Sequence, residues 1–302
     1  MIETVAMTAK LAARVRAIAL AAMLPSLAGC QAAFFKTLEL ASDADGVRTE
    51  TRVYDSAHDL AIDLYCPRGR TDAPMLVFFY GGSWEDGHRE WYAFVGRSLA
   101  ARGIAVAIPD YRVYPAVRFP VFVEDAAHAV AWARSHAVEC GAAPARLHVG
   151  GHSAGAHLAA LVATDARYLA TVGLKPRDLA GVVGIAGPYD FLPITDQTLK
   201  VIFGPVDTHP GTQPVTFVDG DEPPFLLLHG DADGRVWPRN SERLAAKLEE
   251  NGIPVEYRRY AGVGHVKILA AMARGENAAT PTLVDVVRFV EQENGTRSIN
   301  RN

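Results

Sequence analysis

Residues 146–155, Arg-Leu-His-Val-Gly-Gly-His-Ser-Ala-Gly, constrain this chain more than any other stretch. A short strand-like run over 146–150 leads straight into Gly151-His152-Ser153-Ala154-Gly155, and the residues that follow, 154–163, are strong helix formers. The pentapeptide fits G-x-S-x-G, in which a serine sits on a tight, strained turn between a strand and a helix. The spacing has a steric cause. A side chain at position 151 or 155 would run into the helix or the neighbouring strand, so glycine is needed at both. Ser153 is then held at the carboxyl edge of a sheet, beside a helix N-terminus, as a candidate nucleophile. The plainer role for such a serine is a helix cap on a buried turn. The strand before it and the helix after it favour the nucleophile.

The first 29 residues read as a targeting segment rather than as part of the fold. Lys10, Arg14 and Arg16 form a positive region, an apolar run covers 17–24, and Leu27-Ala28-Gly29-Cys30 closes it. The run is too short to span a membrane and ends in small residues, as a signal peptide does. Leu-Ala-Gly-Cys also resembles the bacterial lipobox. That resemblance implies an acylated Cys30 as the first mature residue, a lipid bilayer as partner and a place in the cell envelope; Gln31 after it leans towards the periplasmic side of the outer membrane. An ordinary cleaved signal or an amphipathic N-terminal helix are the alternatives.

Without residues 1–29 the formal net charge moves from −4 to −6, because that segment carries Lys10, Arg14 and Arg16 against Glu3. A mildly acidic remainder of about 270 residues argues against a nucleic-acid partner and is long enough for one large domain. Of the 3 cysteines, Cys66 and Cys140 remain; an oxidising compartment would let them pair, but two cysteines make no framework and the expectation is that they stay apart. No cluster of cysteines and histidines has metal-ligand spacing, so neither metal nor organic cofactor is expected.

Residues 30–46 read as a tether with an apolar patch (Phe34, Phe35, Leu38, Leu40) before a polar end. Alternating segments over 49–54 and 60–65 predict an antiparallel hairpin at a sheet edge. Beyond it the pattern changes to apolar strands interleaved with helices. Strands are expected over 75–80, 104–108, 147–150, 179–185, 225–228 and 255–260, and helices over 91–102, 122–137, 153–164, 238–251 and 281–293. That alternation predicts an α/β fold, a mostly parallel sheet covered by helices on both faces. The proline-rich stretch 188–224 interrupts it and reads as an insertion at a substrate rim. Residues 294–302 read as a frayed tail.

A serine hydroxyl needs an adjacent base, itself oriented by a carboxylate, and on a strand–turn–helix scaffold these follow in the order Ser, Asp or Glu, His. The buried strand ending in His229-Gly230 exits into Asp231-Ala232-Asp233, which offers two carboxylates; Asp190, after another strand, is a third and more distant choice. Asp231 has a plainer role as a turn-stabilising residue. For the base, His265 follows Gly262-Val263-Gly264 in a loop after the strand 255–260, where a mobile imidazole can reach the serine. His152 occupies the variable elbow position, His157 lies a turn along the helix and His229 ends a strand; His58, His88, His128, His136, His148 and His209 read as surface or packing residues. Negative charge developing on a carbonyl oxygen needs waiting donors: the N–H of Ala154, and the loop Tyr80-Gly81-Gly82-Ser83-Trp84 after the strand 75–80, where Gly82 and Ser83 are the candidate amides and Gly81 serves the turn.

These residues together resemble an α/β-hydrolase of the carboxylesterase type over residues 47–293. The likeness is to small esterases that include prenylcysteine methylesterases, kynurenine formamidases and feruloyl-esterase-like bacterial enzymes. It rests on Tyr80-Gly81-Gly82-Ser83-Trp84, on Asp110-Tyr111-Arg112 with Phe119-Pro120 and Glu124-Asp125, on residues 151–158 and on Gly187-Pro188-Tyr189-Asp190. The resemblance implies Asp233, within H-G-x-x-D-x-x-V, as the acid, and Asp125 with Tyr111 and Arg112 as a brace beside the oxyanion loop. Many formamidases have His where Tyr80 stands; Tyr80 resembles the prenylcysteine methylesterase variant.

The expected activity is hydrolysis of small to medium carboxylic esters through an acyl-enzyme on Ser153, with Trp84, Tyr189 and Phe191 as candidates to line the substrate pocket, each of which would equally suit a core. Two other functions are compatible with the same residues: an amidase or formamidase using the same triad, and a lipid-anchored binding protein that kept the fold without the chemistry. A peptidase would bring an accessory domain for which the chain has no room.

Overall fold

The first two strands pair as a hairpin, the first half-exposed at the sheet edge and the second buried on both faces. In this computed structural model, which describes residues 31–292 apart from 43, 274–277 and 279, β1 (Val47–Asp55) lies antiparallel on β2 (Leu60–Pro67). β2 in turn runs antiparallel to β4 (Ala105–Pro109). From there the sheet is parallel, through β3 (Ala73–Phe79), β5 (Ala142–His152), β6 (Gly181–Ile185), β7 (Phe225–Gly230) and β8 (Val255–Tyr260). The order across the eight strands is β1-β2-β4-β3-β5-β6-β7-β8. Strands β3, β4, β6 and β7 are buried along their whole length, which is what continuous apolar runs require when helices cover both faces.

Residues 31–41 are helical (α1), followed by α2 (Ala93–Ala100), α3 (Val121–His136), α4 (Ala154–Thr164), α5 (Ala166–Ala170), α6 (Gln197–Phe203), α7 (Arg239–Glu250), α8 (His265–Ala270) and α9 (Thr282–Glu291). Helices α3, α4 and α5 pack as one group and α2 with α9 as another. Every residue of α4 is buried, so the helix behind Ser153 lies in the core rather than at its margin.

Two expectations need correcting. The stretch read as a tether is helical over 31–41 and lies against the body: Leu38 is buried, and Phe35 stacks on Trp91 and Tyr92 at 5.3 and 5.5 Å between centroids. Cys66 and Cys140, expected to stay apart, form a disulfide with their Cα atoms 4.9 Å apart. They are 74 residues apart in sequence, and the sheet brings the end of β2 beside the turn that enters β5. The stretch 188–224, read as an insertion, joins β6 to β7, and α6 within it carries Phe203 into an aromatic cluster with Trp84, Phe122 and Phe191. Cys30, the targeting segment and the tail 294–302 lie outside the described residues.

Candidate active site

Strand β5 ends at His152, and Ser153 turns the chain into α4 with φ 56° and ψ −122°, a left-handed conformation rarely held by a residue with a side chain. The turn closes because of its glycines. A Cβ on Gly155 would collide with the carbonyls of Phe79 and Tyr80 at the end of β3, and one on Gly151 with the backbone of Gly155. The elbow is thus held from below by the neighbouring strand, and Ser153 N–H donates to the Ile185 carbonyl at 2.9 Å.

His265 comes to this serine from the far side of the sheet. Its Nε2 lies 2.9 Å from Ser153 Oγ and its Nδ1 2.7 Å from Asp233 Oδ2. The three side chains are nearly closed to solvent, with Ser153 8%, His265 9% and Asp233 4% exposed, so their mutual hydrogen bonds are little diluted by water. His265 is not in a loop, as the sequence suggested, but is the first residue of α8, capped by Gly264. The short helix fixes the imidazole where a mobile loop would not.

Asp233 sits just beyond β7. Its Oδ1 accepts from the N–H groups of Arg235 and Val236, both at 2.9 Å. Burial on its own would raise the carboxyl, but hydrogen bonds from His229 and His265 outweigh it and hold Asp233 well below the usual carboxylate range. The other carboxylates do different work. Asp231 is exposed and accepts from Gly262 N–H at 2.6 Å, tying β7's exit to the chain that leads to His265. Asp190 pairs with Arg243 at 2.9 Å.

Two buried histidines flank the site. His152 Nε2 lies 3.0 Å from the His265 carbonyl, and burial followed by the nearby His265 lowers its pKa to about 3. His229, read from sequence as a strand end, has Nε2 3.3 Å from Asp233 Oδ2 and 2.9 Å from the Val236 carbonyl, with Nδ1 2.7 Å from Ser241 Oγ. The signal for His229 was its place four residues before Asp233, where a strand end and the following turn bring both side chains to one point.

The loop after β3 lies across from Ser153. Gly81 N–H is taken by Tyr92 Oη at 2.9 Å, whereas among the described residues the N–H groups of Gly82 and Ser83 find no acceptor. Ala154 opens α4, so its N–H has no partner inside the helix. Ser83 and Trp84 hold φ of 56° and 60°, and a Cβ on Gly82 would strike the Asp86 carbonyl. Asp125 braces this side: it accepts from Arg112 N at 3.0 Å and Nε at 2.9 Å, while Tyr111 Oη donates to the Tyr80 carbonyl at 2.7 Å.

Two cavities meet at Ser153. One of about 150 Å³ is lined by Gly82, Ser83, His152 and His265, and on its outer wall by Gln31, Phe34 and Phe35 of α1. The other, about 310 Å³, is lined by Trp84, Phe191, Leu199, Arg235, Trp237 and Arg239 among others. Tyr189, named with Trp84 and Phe191 from the sequence, is instead fully buried. Its ring fills the slot left by the missing side chains of Gly184 and Gly187, so it belongs to the core. A recess of about 430 Å³ beside the disulfide touches none of these residues. No group of His, Cys, Asp and Glu among the described residues is arranged to hold a metal ion.

The mostly parallel sheet, the strained elbow and the Ser153–His265–Asp233 chain of hydrogen bonds define an α/β-hydrolase of the carboxylesterase-like kind. Residues 62–248 match the BD-FAE family model, and the chain belongs to that family. The match takes in Ser153 and Asp233 but ends before His265, which is placed by geometry alone. The chain is similar to a probable isoprenylcysteine alpha-carbonyl methylesterase of Oryza sativa subsp. japonica, 30% identical over 244 residues, covering 72% of this chain and 56% of that relative. It is also similar to esterase LipC of Mycobacterium tuberculosis, 32% identical over 248 residues, covering 75% and 60%. It thus spans less than two thirds of either relative's length. Among solved structures it shares its fold with Thermogutta terrifontis esterase 2 phosphoramylated by tabun (TM-score 0.68, 24% identity, 82% of this chain and 95% of that one). An arylesterase structure is similar too (TM-score 0.67, 25% identity, 85% and 87%).

Proposed function

We propose that this chain is a serine carboxylic-ester hydrolase acting on small to medium esters through an acyl-enzyme on Ser153. The observation that carries the reading is the bridging position of His265, 2.9 Å from Ser153 Oγ and 2.7 Å from Asp233 Oδ2. His265 Nε2 takes the hydroxyl proton as Ser153 Oγ attacks the ester carbonyl, and Asp233 holds the imidazole in the required tautomer and stabilises its charged form. The N–H groups of Gly82, Ser83 and Ala154 receive the oxyanion; one such donor is worth about 3–4 kcal/mol of transition-state stabilisation. The proton then passes to the departing alcohol, and a water repeats the attack to release the acid. Because His265 must hand its proton to the leaving oxygen, the alcohol lies on His265's side, in the smaller cavity, and the acyl group in the larger one. The test is labelling by a fluorophosphonate together with hydrolysis of p-nitrophenyl acetate. Both are expected of the wild-type chain, and Ser153→Ala is expected to abolish labelling and lower kcat on the order of 10⁶-fold. Labelling that survives in Ser153→Ala overturns the assignment.

We further infer that the enzyme is anchored in the bacterial envelope through an acylated Cys30, on the periplasmic side and by its Gln31 in the outer membrane. The lipobox-like Leu27-Ala28-Gly29-Cys30 supports this, as does the Cys66–Cys140 bridge, which persists in oxidising compartments. Gln31 lines the cleft at Ser153, so an anchor on the preceding residue would hold the mouth of the site at the bilayer surface. Mass spectrometry of the mature N-terminus is expected to find a diacylglyceryl cysteine; a free N-terminus elsewhere removes the anchor.

A further inference from the structure

We propose that the acyl cavity selects acids bearing a second negative charge, such as the half-esters of dicarboxylic acids, and that Arg235 and Arg239 read that charge. The proposal rests on the ester-hydrolase reading above and names its substrate class.

The floor and the lip of the larger cavity differ in chemistry. Trp84, Phe191 and Leu199 make the inner part apolar, while Arg235, Trp237 and Arg239 stand at its exposed edge. Among the described residues no Asp or Glu belongs to the lining, although the chain as a whole carries 34 acidic residues against 30 basic ones. Among the described residues neither arginine has a carboxylate within 4.0 Å, while Arg243, one turn further along α7, is paired with Asp190 at 2.9 Å. Arg239 lines this cavity alone and Arg235 stands between the two cavities and lines both, so together they make a local positive field in an acidic protein.

The lip is also ordered. The Arg239 guanidinium lies 4.3 Å from the centre of the Trp237 ring, a stacking that restrains the cation and leaves its N–H edge free. Trp237 is 55% exposed, and its carbonyl is held by Asn240 Nδ2 at 3.0 Å. With a volume of about 310 Å³ the cavity suits a short acyl chain. The ester carbonyl then lies at Ser153 and the distal carboxylate at the arginines. Placement on the acyl side follows from Arg239, which lines only this cavity, while His265 lines only the other.

Three esters distinguish the possibilities in a pH-stat assay: monomethyl glutarate (charge on the acyl group), methyl pentanoate (no charge) and carboxymethyl pentanoate (charge on the alcohol). The expected kcat/KM for monomethyl glutarate exceeds that for methyl pentanoate by about tenfold, the product of two exposed ion pairs, and the ratio shrinks as salt is raised. In Arg235→Gln/Arg239→Gln the ratio is expected to fall to about 1, in Arg239→Lys to be partly retained, and in Arg239→Glu to favour the neutral ester. Equal kcat/KM for the charged and neutral acyl groups in wild type, or a preference that survives the double substitution, overturns the proposal while leaving the esterase reading intact. Selection for carboxymethyl pentanoate overturns the acyl-side placement. Failure to hydrolyse any ester or to react with a fluorophosphonate sinks both readings together.

Discussion

His229 Nε2 stands 3.3 Å from Asp233 Oδ2, the same oxygen that holds His265 Nδ1 at 2.7 Å. With two backbone amides on Oδ1, the carboxylate is surrounded by donors in a buried site. Its orientation towards His265 is therefore set by β7 and the turn after it. The hydrogen of His229 Nε2 is shared between Asp233 and the Val236 carbonyl, so His229 positions the acid and does not itself reach the serine.

Asp233→Asn removes the charge without changing the shape. The amide leaves His265 in the wrong tautomer, and kcat is expected to fall by about 10⁴-fold with the fold retained. Asp231→Asn, two residues away, keeps an oxygen to accept from the exposed Gly262 N–H, loses only the charge, and is expected to alter kcat by less than about threefold. Steady-state kinetics with p-nitrophenyl acetate on the two variants decides between them; equal losses would show that the carboxylates had been assigned wrongly.

Gly155→Ala tests the elbow. The added methyl meets the carbonyls of Phe79 and Tyr80, which are backbone and cannot swing aside, and Tyr80 leads directly into the Gly82–Ser83 loop. The expected cost is at least about 2 kcal/mol in denaturant unfolding, with loss of activity in whatever folds. Gly173→Ala serves as the control. That glycine has φ +74° but nothing within 4 Å, so only the left-handed backbone penalty of about 1 kcal/mol is expected, with kcat unchanged.

What could be read from the sequence was whatever carries a local signal. The elbow, the oxyanion loop and each single strand or helix of the alternation are written in fewer than twenty consecutive residues, and the eight-stranded sheet follows them. The pairing of Cys66 with Cys140 depends on where β2 ends relative to β5, which no short window contains. Tyr189 was left open between pocket and core; its burial depends on the empty space over Gly184, which no short window of sequence shows. For α1 the signal was present, since Phe34, Phe35 and Leu38 have helical spacing, but their position between Cys30 and a polar stretch made them look like a tether.

The Cys66–Cys140 bridge closes a long loop, with a sequence separation of 74. Chain entropy puts its contribution near 4.5 kcal/mol, and about 2–5 kcal/mol is the range in which native bridges fall. Cys66→Ala/Cys140→Ala is expected to lower Tm by about 5–15 °C. Because the bridge borders a recess that contains no triad residue, kcat of the folded variant at 25 °C is expected within about twofold of wild type. Adding a reductant should lower Tm in the wild type and leave the variant where it was. A wild type indifferent to reductant would mean that the bridge does not form in solution.

Acid should weaken this fold before it protonates the triad's carboxylate. Burial lowers His152 to about 3 and His157 to about 4, while both titrate near 6.5 when unfolded. Between those values the unfolded chain binds protons that the folded chain refuses. Stability therefore rises with pH: the contribution is fully present above 6.5 and is lost as pH falls towards 4 and then 3. Each histidine approaches a slope of about 1.4 kcal/mol per pH unit below 6.5, so the pair removes about 3 kcal/mol between pH 6.5 and 5. Asp233, depressed by its hydrogen bonds, adds its own loss only as pH drops below the ordinary carboxylate value of 3.8. Urea titrations at half-unit intervals measure the slope. His157 donates Nε2–H to the Thr212 carbonyl at 2.8 Å, a bond that Gln can replace, so His157→Gln is expected to halve the slope above pH 5. A wild-type stability that stays flat from pH 6.5 to 5 would mean that these imidazoles protonate inside the fold, and that the wall behind Ser153 and Trp84 is wetter than the packing of His157 against Trp84 implies.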